Sequence, residues 1–215
     1  MSYLPLIITI ISSYLVGAIP FGWLIAKTVS GIDIRFEGSG NIGATNVTRH
    51  IGKGWGFLTM ILDTSKGFFI VLIAGEFLSF NLYEIAMVGL SAVIGHQYSI
   101  YQRFSGGKGV STAFGVFLYI CPIAAFLSLI CFIIGVYCSG YISAGSILAS
   151  IFLPVFIIIS NSKSPLLLLS IIISTLILIK HNSNIIRLIR REELTWKNRA
   201  DHLNISSSRS SSSSE

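Results

Sequence analysis

The stretch Gly38-Ser39-Gly40-Asn41-Ile42-Gly43-Ala44-Thr45-Asn46, followed by Arg49, contains almost nothing but small, hydroxyl and amide residues around one guanidinium. Glycines let the backbone take positive φ and turn several N–H groups toward one point. Ser39, Asn41, Thr45 and Asn46 add neutral hydrogen-bonding groups, and Arg49 adds a fixed fork of charge. That chemistry holds an anion, phosphate above all. A second stretch, Ser105-Gly106-Gly107-Lys108-Gly109-Val110-Ser111-Thr112 with Arg103 just ahead, has the same character. It is not a Walker A loop, because Lys108 is followed by Gly109 where that loop needs Ser or Thr. It still offers backbone donors, a point charge and two hydroxyls opening a helix whose N-terminal dipole favours an anion. Gly38, Gly40, Gly43 and Asp63 also match the spacing of a dinucleotide fingerprint. The βαβ context that motif requires is missing, since the residues before the loop read as a membrane helix and Asp63 sits in another apolar run.

These loops must be positioned by membrane helices. The chain has 215 residues, 53% of them hydrophobic and 11% charged, with a mean hydropathy of +0.78. A soluble domain carries about 25% charged residues. The expected fold is an all-α polytopic membrane protein, with residues 1–199 as one integral membrane domain and 200–215 as a disordered Ser-rich tail. The first apolar run, 4–26, has no basic leader and reads as a retained span more than a cleaved signal peptide. The net charge of +6 comes from basic residues gathered in a few loops and the tail, which marks a cytoplasmic face and gives no reason to expect nucleic acid. Cys121, Cys131 and Cys138 lie in apolar stretches with no metal or disulfide spacing, and read as helix-packing residues.

Charge bias sets the topology. Lys27, Arg35, Arg49 and Lys53 place the first loop inside and the N-terminus outside, while Glu76 and Glu84 suit an outer turn between the runs 55–77 and 82–101. The run 110–138 would make a single helix roughly 43 Å long against a hydrocarbon core of about 30 Å. Splitting it near Cys121-Pro122 keeps the basic C-terminus inside, after spans at 142–159 and 165–179. Seven membrane helices, two of them short, are therefore expected, with Tyr141 to Ser146 brought to the inner face beside both glycine loops. Asp63 and Lys66 cost about 2.5–3.5 kcal/mol each near mid-membrane and should face the interior. Being three apart on a helix they can pair, either as an ion pair fixing helix position or as support for an anion site. After Lys180 and His181, the apolar Ile185, Leu188 and Ile189 alternate with Arg187, Arg190 and Arg191 as in an interfacial amphipathic helix. Attraction to lipid headgroups accounts for Arg190 and Arg191.

The remaining residues limit the reaction. Only nine acidic residues are present, with none grouped at helical spacing at the inner face apart from Glu192-Glu193. A magnesium-assisted phosphotransferase of the CDP-alcohol type is disfavoured, and no metal or other cofactor is implied. None of His50, His96, His181 and His202 has an Asp five positions on, so the His-x4-Asp box of many acyl-CoA-dependent glycerolipid acyltransferases is absent. No Gly-x-Ser-x-Gly elbow occurs. An acyltransferase built from these residues needs an already activated donor.

Taken together, the first glycine loop with Arg49, Leu62-Asp63 and Lys66-Gly67, Gly95-His96, Gly106-Gly107-Lys108-Gly109-Val110-Ser111-Thr112, Tyr141 with Ser143, and His181-x-x-Asn184-Ile185-x-Arg187-Leu188 with Glu193 resemble the bacterial acyl-phosphate:glycerol-3-phosphate acyltransferases, the PlsY family. The likeness runs from the first span to about Lys197 and carries three motifs in order. It implies transfer of a fatty acyl group from acyl phosphate to the 1-hydroxyl of glycerol 3-phosphate at the inner membrane, giving lysophosphatidic acid and inorganic phosphate. By the same likeness, Ser39, Gly40, Asn41, Thr45, Asn46 and Arg49 bind a substrate phosphate, Gly106, Gly107 and Lys108 form a second cradle, and Ser143, His181 and Asn184 orient the glycerol phosphate and its hydroxyl. Arg49 and Lys108 would also stabilise developing charge, and a substrate phosphate oxygen would serve as the base. Other readings stay open for His181, as a cap on the last helix, and for His96, as a structural residue. Relatives commonly carry Pro at the position of Ile42, and a basic residue where Ser105 stands. The same features also describe a transporter of organic phosphates. Against it, no internal repeat is visible and the polar motifs gather on one face.

Overall fold

Proline sets the first feature of the architecture. In the computed structural model, which describes residues 3–160 and 164–195, α1 (Leu4–Gly17) and α2 (Phe21–Ser30) replace the single helix expected over 4–26. Pro20 has no N–H and its ring conflicts with the carbonyl four residues back, so the helix breaks there. Two carbonyls at the break are taken by distant side chains: Ala18 O by the Ser99 hydroxyl at 2.5 Å and Ile19 O by the Lys66 ammonium at 2.9 Å.

After a 3-10 turn at Ile34–Phe36 come α3 (Ala44–His50) and α4 (Lys53–Leu72), which continues through a wider π turn at Ile73–Phe77. Next is α5 (Leu82–Gln97), opened by an Asn81/Glu84 capping box and closed four residues earlier than the apolar run suggested. The long run that follows is divided into α6 (Val110–Ile120) and α7 (Pro122–Ser139). Cys121 leaves the helical conformation between them (φ −154°, ψ 75°) and Pro122 takes the first helical position, where its missing N–H costs nothing. The chain ends with α8 (Ile142–Ile159), α9 (Ser164–Lys180) and α10 (Asn182–Ile189). No strand occurs among the described residues. The Ser-rich stretch 206–214 lies outside them.

Burial runs opposite to a soluble domain. Ile7, Ile11, Phe57, Ile130, Ile134 and Ile158 are exposed, while Ser13, Thr59, Thr112, Gln97 and Ser170 are fully buried. A surface of this kind faces lipid, and small or hydroxylated residues let the helices approach. Ser13 donates to Val88 O (2.7 Å) and Ser91 to Ile10 O (2.8 Å) across α1 and α5. Between α4 and α6, a Cβ at Gly67 would overlap the Thr112 carbonyl and one at Gly115 the Thr64 carbonyl. Among the described residues, four spans are long and apolar enough to cross a bilayer: Leu4–Ser30, Lys53–Phe77, Pro122–Ser139 and Ile142–Ile159. Counting α9 with α10, bent by 57°, gives five.

Candidate active site

Asn46 shapes the first glycine loop from beneath. Its amide donates to Ile34 O (3.2 Å) and Glu37 O (2.9 Å), and its Oδ1 accepts from the Ser39 N–H (3.3 Å). Gly40, at φ 68°, turns the chain and donates its N–H to Glu37 O. The structure thus uses both residues to build the loop. Asn41 Oδ1 receives the Gly43 N–H at 2.9 Å, and among the described residues its amide nitrogen has no acceptor. Arg35 ties this loop to the next one through Gln102 Oε1 at 2.8 Å, while its own charge is met by Asp33.

The second loop rests on the end of α5. Gly107 N–H donates to His96 O (3.0 Å) and Gly106 N–H to Gln97 O (3.2 Å), and a Cβ at either glycine would overlap His96. These two residues sit outside the cavity, their donors already used. Among the described residues, the N–H groups of Lys108, Gly109, Val110 and Ser111 have no protein acceptor. The open donors of this stretch are therefore at the start of α6, where the helix dipole also favours negative charge.

Between the loops lies a cavity of ≈ 160 Å³, walled by Ser39, Asn41, Thr45, Asn46 and Arg49 on one side and Lys108 to Ser111 on another. Ser143 and Ser146 of α8, His181 and Asn184 at the α9–α10 bend, Asp63, His96 and Glu193 complete it. Chain segments from seven regions, including the bend that breaks α9 from α10, are needed to assemble these groups. Glu193 follows α10, which ends at Ile189 and does not carry it. Its Oε1 accepts from Ser143 Oγ (2.8 Å) and Asn184 Nδ2 (2.7 Å), and its Oε2 from Arg187 Nε (2.7 Å). Arg49 closes the same edge by donating to Leu194 O at 3.0 Å. The sequence assigns no catalytic or binding role to Glu193 or His96, and gives Asp63 two alternatives, an ion pair with Lys66 or support for an anion site. Glu193 is marked in the sequence by its place in the motif shared with the PlsY family and as an inner-face carboxylate near Arg187.

Electrostatics separate the groups. Burial, opposed by Glu193 and reinforced by Arg187 and Arg49, pushes the Lys108 ammonium down to about 8. Burial and the neighbouring Lys108 push the His181 imidazole down to about 4, against the pull of the Ile177 carbonyl and Glu193. Its Nδ1 lies 2.8 Å from Ile177 O, so Nδ1 carries the proton and Nε2 keeps a lone pair. Burial raises the Glu193 carboxyl, but the Asn184 amide, Arg187 and Ser143 outweigh it and hold it below the usual range. No group of three metal-ligating side chains occurs among the described residues.

A helical bundle with a lipid-facing surface and a cationic, donor-rich cavity defines a membrane protein that handles a small anionic substrate. The family model for glycerol-3-phosphate acyltransferase matches residues 7–191. Relatives of that name from Desulfotalea psychrophila and Lawsonia intracellularis are 43% and 45% identical, over 86% and 89% of this chain and 95% and 96% of theirs. Crystal structures of PlsY, an integral membrane glycerol 3-phosphate acyltransferase, superpose with TM-scores of 0.85 in the glycerol 3-phosphate form and 0.83 in the lysophosphatidic acid form. Both are 38% identical, covering 89% of this chain and 95% of that one. The chain belongs to the glycerol-3-phosphate acyltransferase family, in its PlsY-like, integral membrane form.

Proposed function

We propose that the protein transfers a fatty acyl group from acyl phosphate to the 1-hydroxyl of glycerol 3-phosphate, releasing inorganic phosphate and lysophosphatidic acid. The observation that carries this reading is a second cavity of ≈ 250 Å³, lined by Phe114, Phe117, Ala125, Leu129 and Leu153, which shares Met60, Val110, Ser111 and Phe132 with the polar one. Polar and apolar cavities with a common wall suit a substrate that has both a phosphate and an alkyl chain. In this reading the chain lies between α6, α7 and α8. Its carbonyl stands at the common wall, and the phosphate is held by Lys108 and the free N–H groups of α6. Glycerol 3-phosphate takes Ser39, Asn41, Thr45 and Arg49, with Ser143, His181 and Asn184 orienting its hydroxyl.

The hydroxyl oxygen bonds to the carbonyl carbon, the bond from that carbon to the phosphate oxygen breaks, and the hydroxyl proton passes to a phosphate oxygen. His181 Nε2 accepts a hydrogen bond from the hydroxyl but, held near 4, is too weak a base to keep the proton. Lys108 and Arg49 stabilise charge on the carbonyl oxygen and the leaving phosphate. The purified protein given glycerol 3-phosphate and palmitoyl phosphate should form phosphate and lysophosphatidic acid in equal amounts, with no product from palmitoyl-CoA. Product from the thioester alone would overturn the donor assignment.

We further propose seven spans in a bacterial inner membrane, formed by α1 with α2, then α4 to α9, with the C-terminus and the cavity on the cytoplasmic side. Arg35, Arg49, Lys53, Lys108, Arg187 and Arg190 support this orientation by gathering near the cavity end, while Glu76 and Glu84 lie by the opposite turn. A cysteine introduced beyond residue 195 should label only from the cytoplasmic side. Labelling only from outside would reverse the topology.

A further inference from the structure

Three buried ionisable groups take no part in the proposed reaction. Asp63, Lys66 and His96 are 3%, 5% and 6% exposed, on helices where charge is costly. They form a continuous line. Lys66 Nζ donates to Ile19 O at the break between α1 and α2 and stands 2.8 Å from Asp63 Oδ1, which faces His96 Nδ1 at 3.5 Å. The His96 carbonyl holds the Gly107 N–H, and its ring fills the volume a Gly107 Cβ would occupy. One residue on, the Gln97 amide donates to Lys108 O at 2.8 Å.

Asp63 and His96 look at first like an acid–base pair, since both reach the cavity wall. The geometry argues otherwise. At 3.5 Å their contact is longer than a catalytic hydrogen bond, and a Cβ on Gly107 would meet His96 Nε2 before any other atom, so the loop backbone covers the nitrogen a base would need.

We propose that Lys66, Asp63 and His96 are positioning residues for Lys108: they anchor the second glycine loop to the break in the first span, and the fit of the His96 ring on Gly107 sets how deeply the Lys108 ammonium stands in the cavity. This rests on the acyltransferase reading of the site. Break, ion pair, ring and loop are then parts of one device. The cost of burying the pair is offset where the Ile19 carbonyl, turned out of the helix ladder by Pro20, takes the Lys66 donor and the glycine loop rests on a fixed floor.

The test uses full-length Gly107→Ala, His96→Ala and the double variant. Gly107→Ala should lower kcat/KM for acyl phosphate by about 100-fold, and His96→Ala by about 10-fold. The double variant should fall within about threefold of His96→Ala, because removing the ring makes room for the methyl group. KM for glycerol 3-phosphate should stay within about twofold. A purely structural role would not move the alkaline limb of kcat/KM. Lys108 faces Arg49, Arg187, Glu193 and His181, and activity that needs its ammonium is present below about pH 8 and lost above it. In His96→Ala the loosened loop lets water reach the ammonium, and the limb should move toward the ordinary lysine value of 10.5. His96→Gln serves where the alanine variant does not fold and carries the same expectation for the limb. Additive losses, an unmoved alkaline limb, or loss of an acid limb with KM unchanged would each overturn the proposal. If the wild type forms no product from acyl phosphate, it is the functional reading that fails.

Discussion

Lys108→Met lowers kcat/KM with acyl phosphate by about three orders of magnitude while the protein folds and purifies as the wild type does. The size follows from what is removed. Lys108 brings a mobile point charge into a buried cavity beside the free N–H groups of α6, and deleting one such donor to developing negative charge costs about 10²–10³ in rate. Losing the only lysine among the described residues that line the polar cavity should lie at the upper end. Lys108→Arg restores little, because a planar fork does not match the space of an ammonium. Stability is spared, since the Lys108 side chain makes no ion pair or hydrogen bond among the described residues. Turnover above about one tenth of wild type in the methionine variant would remove Lys108 from the mechanism.

Gly115→Val prevents folding. A Cβ at Gly115 meets the Thr64 carbonyl and then the Phe68 nitrogen, both backbone atoms of α4, which no side-chain rotation can clear. Overpacking of an ordinary core costs typically about 1–3 kcal/mol. Here two helices must separate along their length, since Gly67 meets α6 at the same seam, and the whole of a stability of about 5–15 kcal/mol is at risk. Size-exclusion chromatography in detergent should show loss of the monodisperse peak. The contrast is Gly54→Ala in the first turn of α4, where nothing lies within 4 Å and both fold and activity should persist. A folded, active Gly115→Val protein would show that α4 and α6 do not pack this closely.

Much of this was legible in the residues, and the exceptions share one cause. The division of the long run at Cys121-Pro122, the ends of α8 and the two glycine loops follow from local chemistry: proline geometry, apolar length and small-residue clusters. Pro20 was equally visible, yet its break was hidden inside a run that looked long enough to cross unbroken. The internal duties of Asn46, Gly106 and Gly107 depend on partners at Ile34, Glu37, His96 and Gln97 that fall on other elements. Those residue types suit an anion and a backbone carbonyl alike, so spacing could not decide between them. The nearness of Asp63 to His96, and of Glu193 to Ser143, comes from tertiary packing with no trace in either residue's neighbourhood.

The wall common to the two cavities also has a bearing on how a finished lipid would depart. Drawing an acyl chain out through water exposes it at about 0.8 kcal/mol for each methylene, a penalty of about 11 kcal/mol for a palmitoyl chain that release into lipid avoids. A chain housed between α6, α7 and α8 adjoins helices whose outer faces, at Ile130, Ile134 and Ile158, already meet hydrocarbon. The product can then slip sideways into the leaflet while phosphate diffuses off into solution. In the proposed reaction the two leaving species, opposite in solubility, part by separate routes, so that neither has to wait for the other.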